Sequence, residues 1–231
     1  MQEMNNSRSL EGVLFDLDGT LVDTAPDFIV AVNKLRSAHQ LDSLPPLGIA
    51  EQVSNGSIAL TEYAFNITPE HADFPSRRQA LLDHYLNCIG QHAALYNGLN
   101  DLLERLHKAD IPWGIVTNKP IAYAQPLLEN LQLIDRCHVL ICPDHVSQPK
   151  PHPEALFTAA KKINCNVSAT AYIGDHDRDI AAGRAAGMKT IAAAYGYISD
   201  EQKIEDWRAD SIAQQPQDIH STLERLFSCT I

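Results

Sequence analysis

The sequence lacks the features that mark several broad classes of protein. No apolar run approaches the ~20 residues that a membrane-spanning helix needs, and the polar N-terminus has no apolar stretch of the kind found in a signal peptide. Positive charge is scarce, since 18 lysines and arginines stand against 29 aspartates and glutamates, for a net charge of −11. We therefore expect neither an anionic membrane nor a nucleic acid as partner, because both are bound through basic surface.

Paired cysteines are missing as well. The five cysteines, at positions 88, 137, 142, 165 and 229, form no Cys-x-x-Cys pair. An odd number of cysteines without paired spacing is typical of reduced thiols, so we expect a cytoplasmic protein. The ten histidines include neither a His-Glu-x-x-His pattern nor the Cys/His spacing of a zinc site, and zinc is not expected.

The patterns that are present predict two parts. From about residue 98 onward strand-like and helical segments alternate, which is typical of a doubly wound parallel α/β sheet of the Rossmann-like type. Residues 25–92 have a helical pattern without a strand-like run and look like an insertion. We predict an α/β domain formed by residues 1–24 and 93–231, a helical domain formed by residues 25–92, and a frayed tail up to about residue 10.

Two carboxylates follow the first predicted strand. Residues 13–15 are an apolar run of the kind that a buried parallel strand needs, and Asp16 and Asp18 come directly after it. Burying a bare carboxylate is costly, so these acids are expected where the strand ends. That carboxyl edge is where open α/β sheets bind ligands.

Other polar residues follow later predicted strands. Thr117 and Asn118 end one strand, Asp175 ends another with Asp179 shortly after it, and Lys150 lies on a further connection. If the sheet is parallel, all of them meet at one edge. Crowded carboxylates repel each other, by about 4 kcal/mol per pair at ~4 Å and an effective dielectric near ~20, so a cation is expected among them. Ligands that are all oxygen indicate Mg²⁺.

Each of these residues, taken alone, also has an ordinary interpretation. Thr117 and Asn118 could form a turn or a helix cap, Lys150 could be a solvated surface lysine, and the acids at 177 and 179 could offset a helix dipole. Their order and spacing along one chain are what these interpretations do not predict.

Taken together, the motifs resemble those of a known family. Residues 16–20, Thr117 with Asn118, Lys150 and residues 174–179 are similar to the four-motif signature of haloacid dehalogenase-like phosphatases. Residues 25–92 lie where that family carries an α-helical cap. The resemblance implies a haloacid dehalogenase-like α/β core with an inserted cap domain.

Further segments narrow the resemblance. Residues 15–27, 117–120 and 150–154 look most like the phosphoglycolate phosphatase branch. Within that branch, residues 113–120, 140–146 and 195–198 resemble N-acetylmuramic acid 6-phosphate phosphatases. His176 is a departure, because many relatives carry a small hydroxyl residue there.

The resemblance implies a role for each motif. Asp16 would attack phosphorus and form an aspartyl-phosphate, and Asp18 would protonate the leaving alcohol and then activate water. Asp16, Asp175 and the backbone carbonyl of Asp18 would bind Mg²⁺, with Asp179 behind them or reaching Lys150. The residues expected to hold the phosphoryl oxygens are Thr117, the Asn118 amide and Lys150.

Substrate selection is expected from the cap. Ser54, Asn55 and Gly56 lie where the family's substrate loop falls, and Gly56 permits close backbone approach. A plain turn between helices is the alternative interpretation of this loop.

The expected function is Mg²⁺-dependent hydrolysis of a small phosphomonoester, 2-phosphoglycolate or N-acetylmuramic acid 6-phosphate, by a monomer or homodimer. Two alternatives stay open at this point. One is a sugar phosphomutase of the same superfamily, and the other is a non-catalytic binding or regulatory protein on the same scaffold. A dehalogenase fits less well, since an acid/base at Asp18 suits phosphoryl transfer.

Overall fold

The computed structural model describes residues 9–199 and 202–231. In chain order the strands are β1 (Gly12–Phe15), β2 (Val22–Asp23), β3 (Ala94–Leu95), β4 (Trp113–Val116), β5 (Val139–Ile141), β6 (Thr170–Gly174), β7 (Lys189–Ala193) and β8 (Ser211–Ala213). The helices are α1 (Ala25–Ala38), α2 (Pro46–Val53), α3 (Gly56–Phe65), α4 (Phe74–Leu86), α5 (Leu99–Lys108), α6 (Ile121–Asn130), α7 (Glu154–Lys162), α8 (Asp177–Ala186) and α9 (Asp218–Phe227).

A six-stranded parallel sheet forms the centre of the molecule, in the order β5-β4-β1-β6-β7-β8. β1 pairs with β4 on one side and with β6 on the other, so that Phe15 is level with both Ile115 and Ile173. The residues that follow these three strands therefore emerge together at one edge. The strand order reverses next to β1, which is the kind of position where open α/β sheets bind ligands.

The sheet is covered on both faces, which follows from the period-two alternation of side chains. Val13 and Phe15 of β1 pack into one apolar cluster with helices α5, α6 and α9, whereas Leu14 packs into a second cluster with α7 and α8. Because both faces are buried, the strands need continuous apolar runs. The predicted doubly wound α/β core is confirmed.

Helices α1 to α4 pack on one another above the carboxyl edge, and their buried residues continue into the first of the two clusters. We call residues 25–92 the cap segment. β2 pairs antiparallel with β3, with Val22 level with Leu95, and so joins the chain just before this segment to the chain just after it. The division of the chain into two domains stays a prediction.

The sequence analysis missed three short strands and predicted too long a tail. Strands β2, β3 and β8 were not expected, because runs of two or three residues carry no readable periodicity. Of the predicted frayed tail, residues 1–8 lie outside the described residues, while Leu10 is buried in the core. No helix among the described residues has the length and apolar character required to cross a bilayer.

Candidate active site

Three buried carboxylates meet at the carboxyl edge of the sheet. Asp16 follows β1, Asp175 follows β6, and Asp179 lies in the first turn of α8. One oxygen of each lies within 4.8 Å of an oxygen of the others. Burial and mutual repulsion raise the pKa of Asp16, and the same causes raise the pKa of Asp175 to about 7. A cluster of this kind is costly unless positive charge is added.

One positive charge comes from Lys150. Its Nζ lies 2.8 Å from Oδ1 of Asp16 and 2.7 Å from Oδ1 of Asp179, and it donates to the carbonyl of Val116 and to the hydroxyl of Tyr172. Burial alone would lower the pKa of this ammonium, but the two carboxylates raise it. The ordinary interpretation of Lys150 as a solvated surface residue is wrong, because the residue is only 4% exposed.

The donor set fits a divalent metal. Lys150 supplies a single positive charge to three carboxylates, so the cluster still carries excess negative charge. Oδ1 of Asp16 is buried and accepts no hydrogen bond of ordinary geometry within the described chain, the Lys150 contact being an ion pair only. Oxygen ligands of this kind are those that Mg²⁺ binds.

The side chain of Asn118 connects its own loop to the loop that carries Lys150. Its Nδ2 donates to the carbonyl of Lys150 at 2.9 Å, and the N–H of Lys150 donates back to its Oδ1 at 3.1 Å. The side-chain amide is therefore occupied in fixing the backbone of Lys150. The neighbouring Thr117 lines the cavity described below, and its hydroxyl accepts from the N–H of Lys119 at 3.1 Å.

The side chain of Asp18 is separate from the three clustered acids. Its Oδ1 lies 2.8 Å from Nζ of Lys119 and accepts a hydrogen bond of 2.6 Å from Thr24. Burial alone would lower the pKa of Lys119, but Asp18 raises it. Sequence reasoning gave no role to Lys119, although its place directly after Thr117 and Asn118 was a usable signal.

The loop between α2 and α3 lies over the clustered acids. The hydroxyl of Ser54 donates to Oδ2 of Asp175 at 2.8 Å, and the Arg178 guanidinium donates to the Ser54 carbonyl. Asn55 Oδ1 is 3.4 Å from His176 Nε2, and Gly56 has a φ of +84°, which favours glycine. The loop is thus a turn between helices and also a direct neighbour of the acids.

His176 shapes the start of α8. Its ring accepts from the N–H of Arg178 at 3.3 Å, and the carboxylate of Asp179 accepts from the N–H of His176 at 3.1 Å. The His176 ring and the Asp179 carboxylate also form a capping box, which satisfies N–H groups at the start of the helix that would otherwise be unpaired. Burial and the charge of Arg178 lower the pKa of the imidazole.

A cavity of about 300 Å³ opens between the cap segment and the sheet edge. Its polar lining includes Asp16, Asp18, Thr117 and Asn118, together with the whole predicted cap loop, Ser54, Asn55 and Gly56. Its apolar lining comes mainly from Phe28, Ile58, Leu82, Tyr85 and Tyr123. Three cationic side chains, of Arg78, Lys119 and Arg178, complete it. Asp175 and Lys150 contact residues of this lining, and Asp179 pairs with Lys150 behind them.

Comparison with known proteins identifies the family. The family model of haloacid dehalogenase-like hydrolases matches residues 13–193. The chain belongs to this family. N-acetylmuramic acid 6-phosphate phosphatase of Pseudomonas aeruginosa is 40% identical over 216 residues, covering 94% of this chain and 96% of that protein. Phosphoglycolate phosphatase of Xanthomonas campestris pv. campestris is 41% identical over 208 residues, covering 88% and 92%.

Solved structures of the family share the fold. A predicted phosphoglycolate phosphatase from Haemophilus somnus superposes with a TM-score of 0.81 at 23% identity, covering 92% of this chain and 97% of the other. At that identity the likeness concerns the fold. The expected resemblance to haloacid dehalogenase-like phosphatases is confirmed, and so is the prediction that the chain is an enzyme of the phosphatase class.

Proposed function

We propose that the protein is a Mg²⁺-dependent phosphomonoester hydrolase that acts on a small phosphorylated metabolite through an aspartyl-phosphate. The observation that carries this proposal is the cluster of Asp16, Asp175 and Asp179 around the ammonium of Lys150, beside a cavity large enough for a metabolite. Membership of a hydrolase family with phosphatase relatives supports it.

Asp16, Asp175 and the backbone carbonyl of Asp18 would hold the magnesium ion. When bound, Mg²⁺ would neutralise carboxylate and phosphate charge and so stabilise the transition state. Asp179 accompanies Asp16 and Asp175 in the cluster and also pairs with Lys150 at 2.7 Å. We therefore assign Asp179 to orienting Lys150, in keeping with its expected place behind the ligands.

The protein's own residues would carry both halves of the reaction. A carboxylate oxygen of Asp16 attacks phosphorus while the ester bond breaks, and Asp18 gives its proton to the departing alcohol. Asp18 then takes a proton from the water that cleaves the aspartyl-phosphate, which releases phosphate and restores Asp16. Thr117, the backbone N–H of Asn118 and Lys150 would hold the phosphoryl oxygens, since the Asn118 side chain is already bonded.

The cavity favours the larger of the two expected substrates. Glycolate has two carbons and little apolar surface, whereas the cavity of about 300 Å³ has an aromatic and aliphatic side. The rings of Tyr85 and Tyr123 on this side offer a surface on which a sugar ring can pack. We therefore propose N-acetylmuramic acid 6-phosphate, the substrate in the name of one relative, over 2-phosphoglycolate.

The setting proposed for this reaction is the cytoplasm, with the enzyme acting as a monomer or homodimer. The five free cysteines support a reducing compartment.

Phosphate release with Mg²⁺ and with a chelator, measured for wild type and Asp16→Asn, tests the proposal. We expect release by wild type only with Mg²⁺, and a loss of about 10³-fold or more in Asp16→Asn, because the amide is a poor nucleophile. Asp101→Asn, an exposed acid on α5, is the matched control. Wild-type turnover by Asp16→Asn would refute the assignment of Asp16 as the nucleophile. Isomerisation of a sugar phosphate without phosphate release would indicate a mutase.

A further inference from the structure

Lys119 connects the cap segment to Asp18. It follows β4 of the six-stranded sheet, yet its Nζ lies 4.6 Å from the ring centroid of Tyr85 and 5.0 Å from that of Phe28. These rings belong to α4 and α1 of the cap segment and stack at 3.9 Å with an interplanar angle of 5°. The same Nζ lies 2.8 Å from Oδ1 of Asp18.

The enclosure restricts how the ammonium can move. The Lys119 side chain is 7% exposed, with a carboxylate on one side and the two stacked rings beside it. A cation–π contact is stronger when the cation is desolvated, as it is here. Because both rings come from the cap segment, the position of these helices determines where the ammonium rests.

The contacts of Asp18 are uneven between its two oxygens. Lys119 and Thr24 both act on Oδ1, and no donor of the described residues bonds to Oδ2. Asp18 also lines the cavity in which the leaving group would lie. With Oδ1 held from two sides, Oδ2 is the oxygen available for proton exchange.

We propose that Lys119 is a positioning residue for Asp18, held in place by the Phe28–Tyr85 pair of the cap segment. It fixes Oδ1 so that Oδ2 faces the oxygen of the leaving alcohol. This inference depends on the proposed function, in which Asp18 exchanges that proton. As the P–O bond breaks, the proton passes from Oδ2 to the alcohol, and Lys119 keeps its own protons while it stabilises the carboxylate that forms.

Esters with different leaving groups distinguish this role from phosphate binding. An alkyl alcohol must be protonated to leave, whereas p-nitrophenolate leaves without protonation. For Lys119→Met we expect kcat/KM with an alkyl phosphomonoester to fall about 10²-fold, and kcat/KM with p-nitrophenyl phosphate to fall less than about 5-fold. This ratio reports only the steps up to release of the alcohol, where general acid catalysis serves the alkyl ester alone. Loss of phosphate binding would instead lower kcat/KM for both esters alike.

Two further variants complete the test. Phe28→Leu removes one ring but keeps Lys119. The rate with the alkyl ester should again fall more than the rate with p-nitrophenyl phosphate, though by a smaller factor. This variant tests the inference even if Lys119→Met fails to fold. Lys161→Met, which removes an exposed charge on α7, should leave both esters at wild-type rates.

An equal loss for both esters in Lys119→Met or Phe28→Leu, or no loss at all, would overturn the inference while leaving the proposed function standing. Failure of the proposed function would appear differently, as no phosphate release from either ester by the wild type, and it would overturn both.

Discussion

Ser54 donates a hydrogen bond of 2.8 Å to Oδ2 of Asp175 across 121 positions of the chain. The N–H of Tyr197 donates to the same oxygen at 3.1 Å. A loop of the cap segment and the loop that follows β7 therefore share one acid. The position of the cap loop and the arrangement of the clustered carboxylates are thus physically coupled.

The first prediction concerns this bond. In Ser54→Ala the loop loses its direct hold on Asp175, and we expect kcat/KM for the preferred substrate to fall about 10-fold, mainly through KM, because a hydrogen bond to a charged group is worth about 1.5–3 kcal/mol. Steady-state kinetics measures this. Ser221→Ala, on the exposed face of α9, is the control. Unchanged kinetics in Ser54→Ala would mean that the bond has no part in binding.

The second prediction concerns the paired hydrogen bonds between Asn118 and Lys150. Asn118→Ala removes both of them, and we expect the free energy of unfolding to fall by about 1–3 kcal/mol, since each net hydrogen bond contributes about 1 kcal/mol. Activity should fall further than stability alone explains, because Lys150 loses its backbone anchor. Urea unfolding and kcat provide the measurements, with Asn97→Ala, an exposed residue just before α5, as control. Wild-type kcat in Asn118→Ala would contradict this role.

The third prediction is a pH dependence of the metal-free protein. Burial and the neighbouring carboxylates raise the pKa of Asp175 from 3.8 to about 7. Between these values the folded state holds a proton that the unfolded state releases, so stability falls as pH rises through this window. Mg²⁺ should reverse the loss, since a cation favours the ionised carboxylate.

Urea unfolding at pH 5 and pH 8, with EDTA and with Mg²⁺, measures this effect. Asp175→Asn is the reference, because it removes the titrating group while other ionisable residues stay. We expect the drop in stability between the two pH values in EDTA to be larger in wild type than in Asp175→Asn. An equal drop in the two proteins would refute the prediction.

The fourth prediction concerns Arg78, which lines the cavity with Leu82 and Tyr85 on one face of α4, at positions i, i+4 and i+7. Its Nε donates to the Ser57 hydroxyl at 2.8 Å, and no carboxylate of the described residues pairs with it. We expect the guanidinium to bind the carboxylate of N-acetylmuramic acid 6-phosphate, the proposed substrate.

Arg78→Ala should therefore lower kcat/KM about 10-fold or more for N-acetylmuramic acid 6-phosphate, because the carboxylate loses a charge-assisted hydrogen bond. For N-acetylglucosamine 6-phosphate, which has no carboxylate, the same substitution should change kcat/KM little. Arg77→Ala is a close control, since Arg77 packs on the ring of Phe65 instead. Equal losses on both sugars would exclude carboxylate recognition by Arg78.

The sequence alone was sufficient to predict the parallel sheet and the acids at its edge. Asp16 and Asp175 each follow a short apolar run, and the cost of burying a carboxylate inside a sheet is enough to place both of them at strand ends. The alternation of strands and helices then required a parallel sheet, and the family signature directed attention to Thr117, Asn118 and Lys150.

Only the tertiary structure decided how these side chains are paired. The ammonium of Lys119 bonds to Asp18, which lies 101 positions away in the sequence. The side-chain amide of Asn118 bonds to Lys150, which lies 32 positions away. Hydrophobic periodicity and local motifs report which face a residue occupies, because they depend on neighbours within a few positions. A contact between loops from separate elements depends instead on how those elements pack, and no local pattern carries that information.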